Sequence, residues 1–378
     1  LWRPHEGSNR KIMRTLFVPA ISLINALRYA YKFILISLLF YIPLLAISYL
    51  VINTAYDEIK TSNKKVQGVE LLRQVIALKE SAELYRDHHI VAISYREPAF
   101  LANEANSLLD IKKTLANLLN DTPAIFKGDS VNKQLQEVEQ LVQALRADEA
   151  DIAENVKVLF NTNNTIVEKT IGLYGMITEV SGLRNDSDAQ VTGMLRFIEN
   201  EIFLLQNLSG KGRAAGAFGL SKGYPSSATF ELLDNVFTET QTIRSNIEKI
   251  SAMVTPTTGD TPEENFSDAY HKLMESLEFL PAYIDEKILA ATDYSLPAGD
   301  YFIATSKAIA PQHTYSLMLL DNVAMLVASK KSEAEHKMIK ILGTLILVFI
   351  VTLYLYVGFY ISIQESIGKL VKGAKRMA

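Results

Sequence analysis

A guanidinium presents a planar fork of donors that grips a carboxylate or nitrate through paired hydrogen bonds. Arg213 is the arginine of this chain whose surroundings invite that use, because it lies among Gly210, Gly212, Ala214, Ala215, Gly216 and Ala217. A run of such small residues costs helix propensity, so close helix approach or space for a ligand is its reason. Arg213, Arg86, His88 and Arg184 are the candidate ligand-binding residues. The plainer reading pairs Arg213 with a bundle carboxylate such as Glu201 or Glu239 and leaves the glycines to tight packing. In that reading Arg86, with His88 and His89, lies on a solvated or salt-bridged helix face.

Other chemistries find little support. The chain has no cysteine, which removes disulfide frameworks and thiolate metal sites. His88 and His89 are adjacent and would point about 100° apart on a helix, so they cannot share one ion. His271, His313 and His336 stand alone. No metal site and no cofactor are expected. No nucleophile elbow, phosphate loop, zinc-protease or dinucleotide motif is present, so the chain is not expected to be an enzyme.

The elements that must position these side chains are set by two stretches free of charge, Phe33 to Ile52 and Ile341 to Ile361, which bracket a more polar segment of 288 residues. Each matches the length a helix needs to cross ~30 Å of hydrocarbon. Pro43 is expected to kink the first span rather than end it, and the absence of a small-residue cleavage pattern argues for a retained anchor. Six basic residues (Arg3, Arg10, Lys11, Arg14, Arg28 and Lys32) precede the first span, and Lys369, Lys372, Lys375 and Arg376 follow the second. Both tails are therefore read as cytoplasmic. The middle segment holds 28 of the 38 basic and 40 of the 42 acidic residues, a net charge of −12, and is read as extracytoplasmic.

Residues 1–12, which precede Met13, read as an upstream or foreign extension. Residues 13–32 read as a cytoplasmic segment with a short amphipathic helix. Between the spans, residues 53–340 read as helix after helix. Val69, Leu72, Val75 and Ile76 continue the first span as an amphipathic helix to about Ile93, where Glu97 and Pro98 break it. Further helices are expected at about Leu101–Leu119, from Ser130, from Asn164 to Leu183, at Ala189–Leu220, Phe230–Met253 and Phe266–Ala291, and from Gly299 into the second span. The polar run Arg184–Asp188 is read as a link between two modules. Tyr294, Tyr301, Phe302 and Tyr315 are spaced like bundle core. The expected fold is all-α, with two transmembrane helices flanking an extracytoplasmic pair of stacked four-helix bundles.

The second span runs out into GFYISIQESIGKLVKGAKRMA (Gly358–Ala378), whose residues 362–378 lie beyond it, and the arrangement of a short amphipathic start, a span, a long helical segment, a second span and then this stretch resembles a bacterial chemoreceptor, or methyl-accepting chemotaxis protein. The terminal stretch is similar to the first helix of a HAMP linker, in which Ile367, Leu370, Ala374 and Met377 would be core positions relaying the signal. Ser366 stands where the family usually has proline. Within the middle segment, LYRDHHIV (Leu84–Val91), LQNLSGKGRAAGAFGL (Leu205–Leu220) and YFIATSKAI resemble all-helical sensor domains of the nitrate-sensing and helical bimodular kinds. Arg86 and Arg213 are the matching arginines, and Asp87 replaces the usual glycine after the first.

The resemblance implies a homodimeric receptor in the bacterial inner membrane, with a periplasmic sensor region that binds a small molecule such as an organic acid, nitrate or an amino acid. Membrane lipid would surround its spans, and no nucleic acid partner is implied. Through a cytoplasmic signalling domain it would act on a histidine kinase and an adaptor. The alternatives are the sensor part of a histidine kinase or diguanylate cyclase, or a membrane-anchored structural bundle.

Overall fold

The computed structural model describes residues 29–126, 128–145, 160–161, 163–254 and 263–377, together with Val18 and Ser22. The extension 1–12, most of the amphipathic segment 13–32, the acidic residues Asp148, Glu149 and Asp151, and the loop carrying Thr261 and Pro262 lie outside them. The described residues contain no strand. They form helices α1 (Tyr29–Tyr95), α2 (Pro98–Asp121), α3 (Asp129–Ala144), α4 (Thr165–Val180), α5 (Ala189–Phe197), α6 (Phe203–Ser221), α7 (Ser227–Val254), α8 (Glu263–Ile284) and α9 (Ala298–Met377). A π-turn at Ile198–Ile202 joins α5 to α6, and a second, Asp285–Leu289, extends α8.

Local chemistry sets the ends. At the α1–α2 corner the Arg96 amide bonds to the Ala92 carbonyl at 2.9 Å, and Arg96 takes the left-handed φ of 46° that suits a helix stop. Pro98 then opens α2 at the position where a missing N–H costs nothing. Asp188 caps α5 by accepting from the Gln190 amide at 2.9 Å, and Gly182 closes α4 at φ 79°. Both long helices continue through their prolines, Pro43 in α1 and Pro311 in α9.

The chain divides into two compact units. One comprises Leu1–Ile59 and Ala334–Ala378, and the other Lys60–Glu333. In the first, two helices are long and apolar enough to cross a membrane, and their most apolar stretches are 6% and 0% buried. Leu39, Phe40 and Tyr354 are each at least 70% exposed. Water would disfavour such a surface, whereas hydrocarbon accepts it. Tyr41 packs edge-on against Phe349 and Tyr356, and Lys337 pairs with Glu58 at 2.8 Å. Ile367 is partly exposed; the side chains of Leu370, Ala374 and Met377 lie outside the described set.

In the unit Lys60–Glu333 one hydrophobic cluster draws on every helix from α1 to α9. Leu72, Ile76, Leu78 and Ile90 of α1 are at most 1% exposed, each contributing about 1.5–3 kcal/mol of burial. Helix α6 packs on α7, α7 on α8, and α3 on both α2 and α4. Tyr301, Phe302 and Tyr315 are buried in the core, and Tyr294 packs against it, as their spacing predicted. The run Arg184–Asp188 is the turn between α4 and α5. There Asp186 is held by Lys65 of α1 at 2.7 Å and Lys330 of α9 at 2.8 Å. Burial opposes its charge, but the two lysines and the Asp188 amide prevail and bring its pKa down to about 2.

The small residues of α6 are explained by what stands against them. Gly216 faces the ring of Tyr301, where a Cβ would collide, and that buried tyrosine donates to the Gly212 carbonyl at 3.1 Å. Gly193 of α5, by contrast, faces open space. Gly216→Ala should destabilise the protein by about 1–3 kcal/mol through overpacking, while Gly193→Ala should stabilise it by roughly 0.5–1 kcal/mol through helix propensity. Thermal unfolding of the two variants checks the opposite signs.

Candidate functional site

Helices α1, α6 and α9 bring three of the four sequence-predicted residues together. Arg86 and Asp87 are fully buried on α1, and Arg213 on α6 is 6% exposed. The Asp87 carboxylate is shared. Its Oδ1 accepts from Arg86 Nε at 2.9 Å, and its Oδ2 accepts from Arg213 Nη2 at 2.6 Å and Nε at 3.1 Å. Arg213 Nη1 donates to the Ser306 hydroxyl of α9 at 3.1 Å. Arg86 Nη1 donates to Asn164 Oδ1 at 2.7 Å and to Asn207 Oδ1. Aromatic faces close the sides, Phe160 beside the Arg86 guanidinium and Phe302 beside that of Arg213.

His88 stacks on Phe302 with centroids 4.9 Å apart and bonds through Nδ1 to Ser107 Oγ at 2.7 Å. Since the Ser107 hydroxyl donates to the Asn103 carbonyl, it must accept from His88, which places the proton on Nδ1. Burial, aided by the Arg213 charge and opposed by Asp87, lowers the His88 pKa to about 4. His89 stacks on Tyr85 and pairs with Glu104. The two histidines are each 8% exposed, so of the solvated or salt-bridged face expected here only the salt-bridged part holds, in the Arg86–Asp87 and His89–Glu104 pairs: α2 covers this side of α1 with Glu104 and Ser107.

Arg213 does pair with a bundle carboxylate, which is Asp87 of α1 and not either of the two examples, Glu201 and Glu239. Arg184 lies apart from the cluster and meets both oxygens of Glu199 at 3.0 Å. Asp87, which enters the sequence reading only as a departure from a family pattern, is the centre of the site.

A second polar group lies along the same three helices and reaches α8. Lys79 of α1 donates to Glu83 at 2.7 Å and to Gln206 of α6 at 2.9 Å, with its ammonium 4.8 Å from the centre of the Phe203 ring. Burial lowers the Lys79 pKa, with Glu83 opposing. Gln206 donates to the Gln312 carbonyl of α9, and Gln312 donates to Ser209 of α6 and Ser276 of α8 at 3.0 and 2.9 Å. Nothing local along the chain signals this group, because its members are ordinary polar residues distributed over four helices. Ser276 also lines a groove of ≈590 Å³ between α8 and α9, bordered by Lys272, Glu275, Asp300 and Lys307. Phe279 and Ile303 present apolar surface to it. Among the described residues no group of His, Asp and Glu could hold a metal ion.

No described protein family matches the sequence, and no curated protein matches it. The solved structure of the NasR transcription antiterminator is similar to this chain, with a TM-score of 0.52 and 14% identity, covering 76% of this chain and 80% of that one. At that identity the likeness concerns the fold alone.

His313 of α9, like His88, has its pKa lowered by burial to about 4. Both histidines bind a proton more readily unfolded, near pH 6.5, than folded. Their contribution is therefore complete above pH 6.5 and is lost progressively as the pH falls toward 4, each adding up to about 1.4 kcal/mol per pH unit to the slope. Denaturant unfolding across that window should show stability falling with acidification, and His88→Gln should make the slope shallower. Asp186 acts lower, its contribution being lost only as the pH falls from 3.8 through about 2.

Proposed function

We propose that the chain is the sensory part of a two-pass receptor of the bacterial inner membrane, of chemoreceptor type, with both tails cytoplasmic and residues 53–340 periplasmic. In this reading the helices of the sensor region form two four-helix halves, one around α2–α4 and one around α5–α8, and the receptor works as a homodimer. It has no catalytic role of its own. It relays a helix displacement through the HAMP-like residues after the second span to a cytoplasmic chemotaxis domain.

One observation carries this reading. Helix α6 is hydrogen-bonded to both helices that contain an apolar span: through Arg213 to Asp87 of α1 and Ser306 of α9, and through Gln206 to Lys79 of α1 and Gln312 of α9. A ligand that prefers one position of α6 must bias both. The groove beside Ser276 suits the small ligand, since it offers cations, anions and apolar surface together. An amino acid, with its paired charges, fits that description best among organic acids, nitrate and amino acids.

The cysteine-free background allows a direct test. Thermal stabilisation of the full chain in nanodiscs screens the three ligand classes. Glu58→Cys with Lys337→Cys then reports, by disulfide cross-linking rate, on the contact between the two long helices. A stabilising compound should change that rate at least about twofold, an effect well within ordinary coupling energies. Failure of all three classes to stabilise the chain, or an unchanged rate with a stabilising compound, contradicts the proposal.

A further inference from the structure

We propose that Asp87 is a built-in anionic ligand: its carboxylate permanently fills the anion seat formed by Arg86 and Arg213, and free small anions enter only when it is removed. The proposal deepens the receptor reading by assigning this site an internal occupant, so that the external stimulus acts elsewhere on α6.

The partners of the two guanidinium groups support this. They share one carboxylate, and their remaining hydrogen bonds go to neutral acceptors, Asn164, Asn207 and Ser306. Arg86 Nη2 is buried and has no hydrogen-bond partner among the described residues. The seat is shaped for a small planar oxyanion. An ideal Cβ on Gly210 would stand 2.6 Å from Arg86 Nη2 and 2.8 Å from Asp87 Oδ2, so the glycine makes the space in which the charges meet. Phe160 and Phe302 flank the two guanidinium groups. An arrangement of forked donors under aromatic cover would bind a carboxylate from solution. Here the carboxylate is on the chain, next to Arg86 and held in place by α1, so a solute must displace a group already seated on both guanidinium groups.

Asp87→Ala removes the carboxylate and keeps the Cβ, leaving a space of the size of formate lined by the three N–H donors that Asp87 now satisfies. The test is thermal unfolding of the full chain in detergent, titrated with sodium formate, acetate or nitrate at constant ionic strength in gluconate. The wild-type midpoint should move by less than about 1 °C, while Asp87→Ala should begin at least about 4 °C lower. Formate should then restore half of that loss or more in a saturable manner, equivalent to roughly a tenfold shift of the folding equilibrium at ten times its Kd. Adding Arg213→Gln should abolish the recovery. If Asp87→Ala does not fold, the readout is the fraction recovered as a monodisperse species when it is expressed and purified in formate or in gluconate. Recovery in formate alone supports the seat, and aggregation in both overturns it. Equal stabilisation of wild type and variant, or no recovery with any of the three anions, also overturns it. None of these readouts depends on the external ligand, the membrane or the output domain, so they fail separately from the receptor reading.

Discussion

One carboxylate shared between two buried arginines is the constraint on which the centre of this molecule depends. Burying a charge is costly unless it is paired and fully hydrogen-bonded, and here two cations, the neighbouring Arg86 and Arg213 from a helix 126 residues on, converge on Asp87. The side chains of Asn164, Asn207 and Ser306 hold donors that the carboxylate does not reach. Removing any one of these groups would leave the others buried and unsatisfied. The arrangement thus fixes the register of α6 against α1 more sharply than apolar packing alone could, because leucines tolerate small slips that a forked hydrogen bond does not.

Helix α6 can occupy this position only because it is built from small residues. Gly210 admits the charged pair, Gly212 lies against Val236 and Ile284, and Gly216 admits the Tyr301 ring. The cost in helix propensity is offset by close contact on several sides. The polar group of Lys79, Gln206 and Gln312 adds a second set of fixed distances along the same helices. The Asp186 clamp adds a third, joining Lys65 and Lys330 through one loop carboxylate. Polar anchors of this kind suit a protein proposed to convert a small displacement into movement of long helices, because they resist sliding and permit a discrete change of partner.

The helices are legible in the sequence where punctuation is local. Pro98 opens α2 and Glu97 precedes it, Asn164 precedes α4, and the apolar steps of α1 predict its buried face. The small-residue run marks Arg213 as a place where something must approach closely, and Asp87 does. That partner is not legible, since Glu201 and Glu239 are closer in sequence and nothing local distinguishes Asp87 from a surface aspartate. Likewise His88 and His89 read as a wet or ion-paired face, and which of the two holds is not legible because the helix that covers them, α2, contributes its Glu104 and Ser107 from a segment with no sign of its docking side. Arg184 reads as a binding residue, and Glu199, fifteen positions on, pairs with its Nη2 instead. The pattern is consistent: local hydrogen bonding and periodicity can be read from order along the chain, whereas charge pairing between distant helices depends on how they pack.

The central claim is that Asp87 and Arg213 act as a coupled unit rather than as two separate polar residues. A double-mutant cycle with Asp87→Asn and Arg213→Gln, measured by denaturant unfolding of the full chain in detergent, tests it most directly. The account predicts that each single change costs about 3 kcal/mol or more, as expected when a buried pair loses one partner, and that the double change costs far less than their sum, a coupling of at least about 2 kcal/mol. Costs that add to within about 0.5 kcal/mol would show that the two side chains are energetically independent and would contradict it.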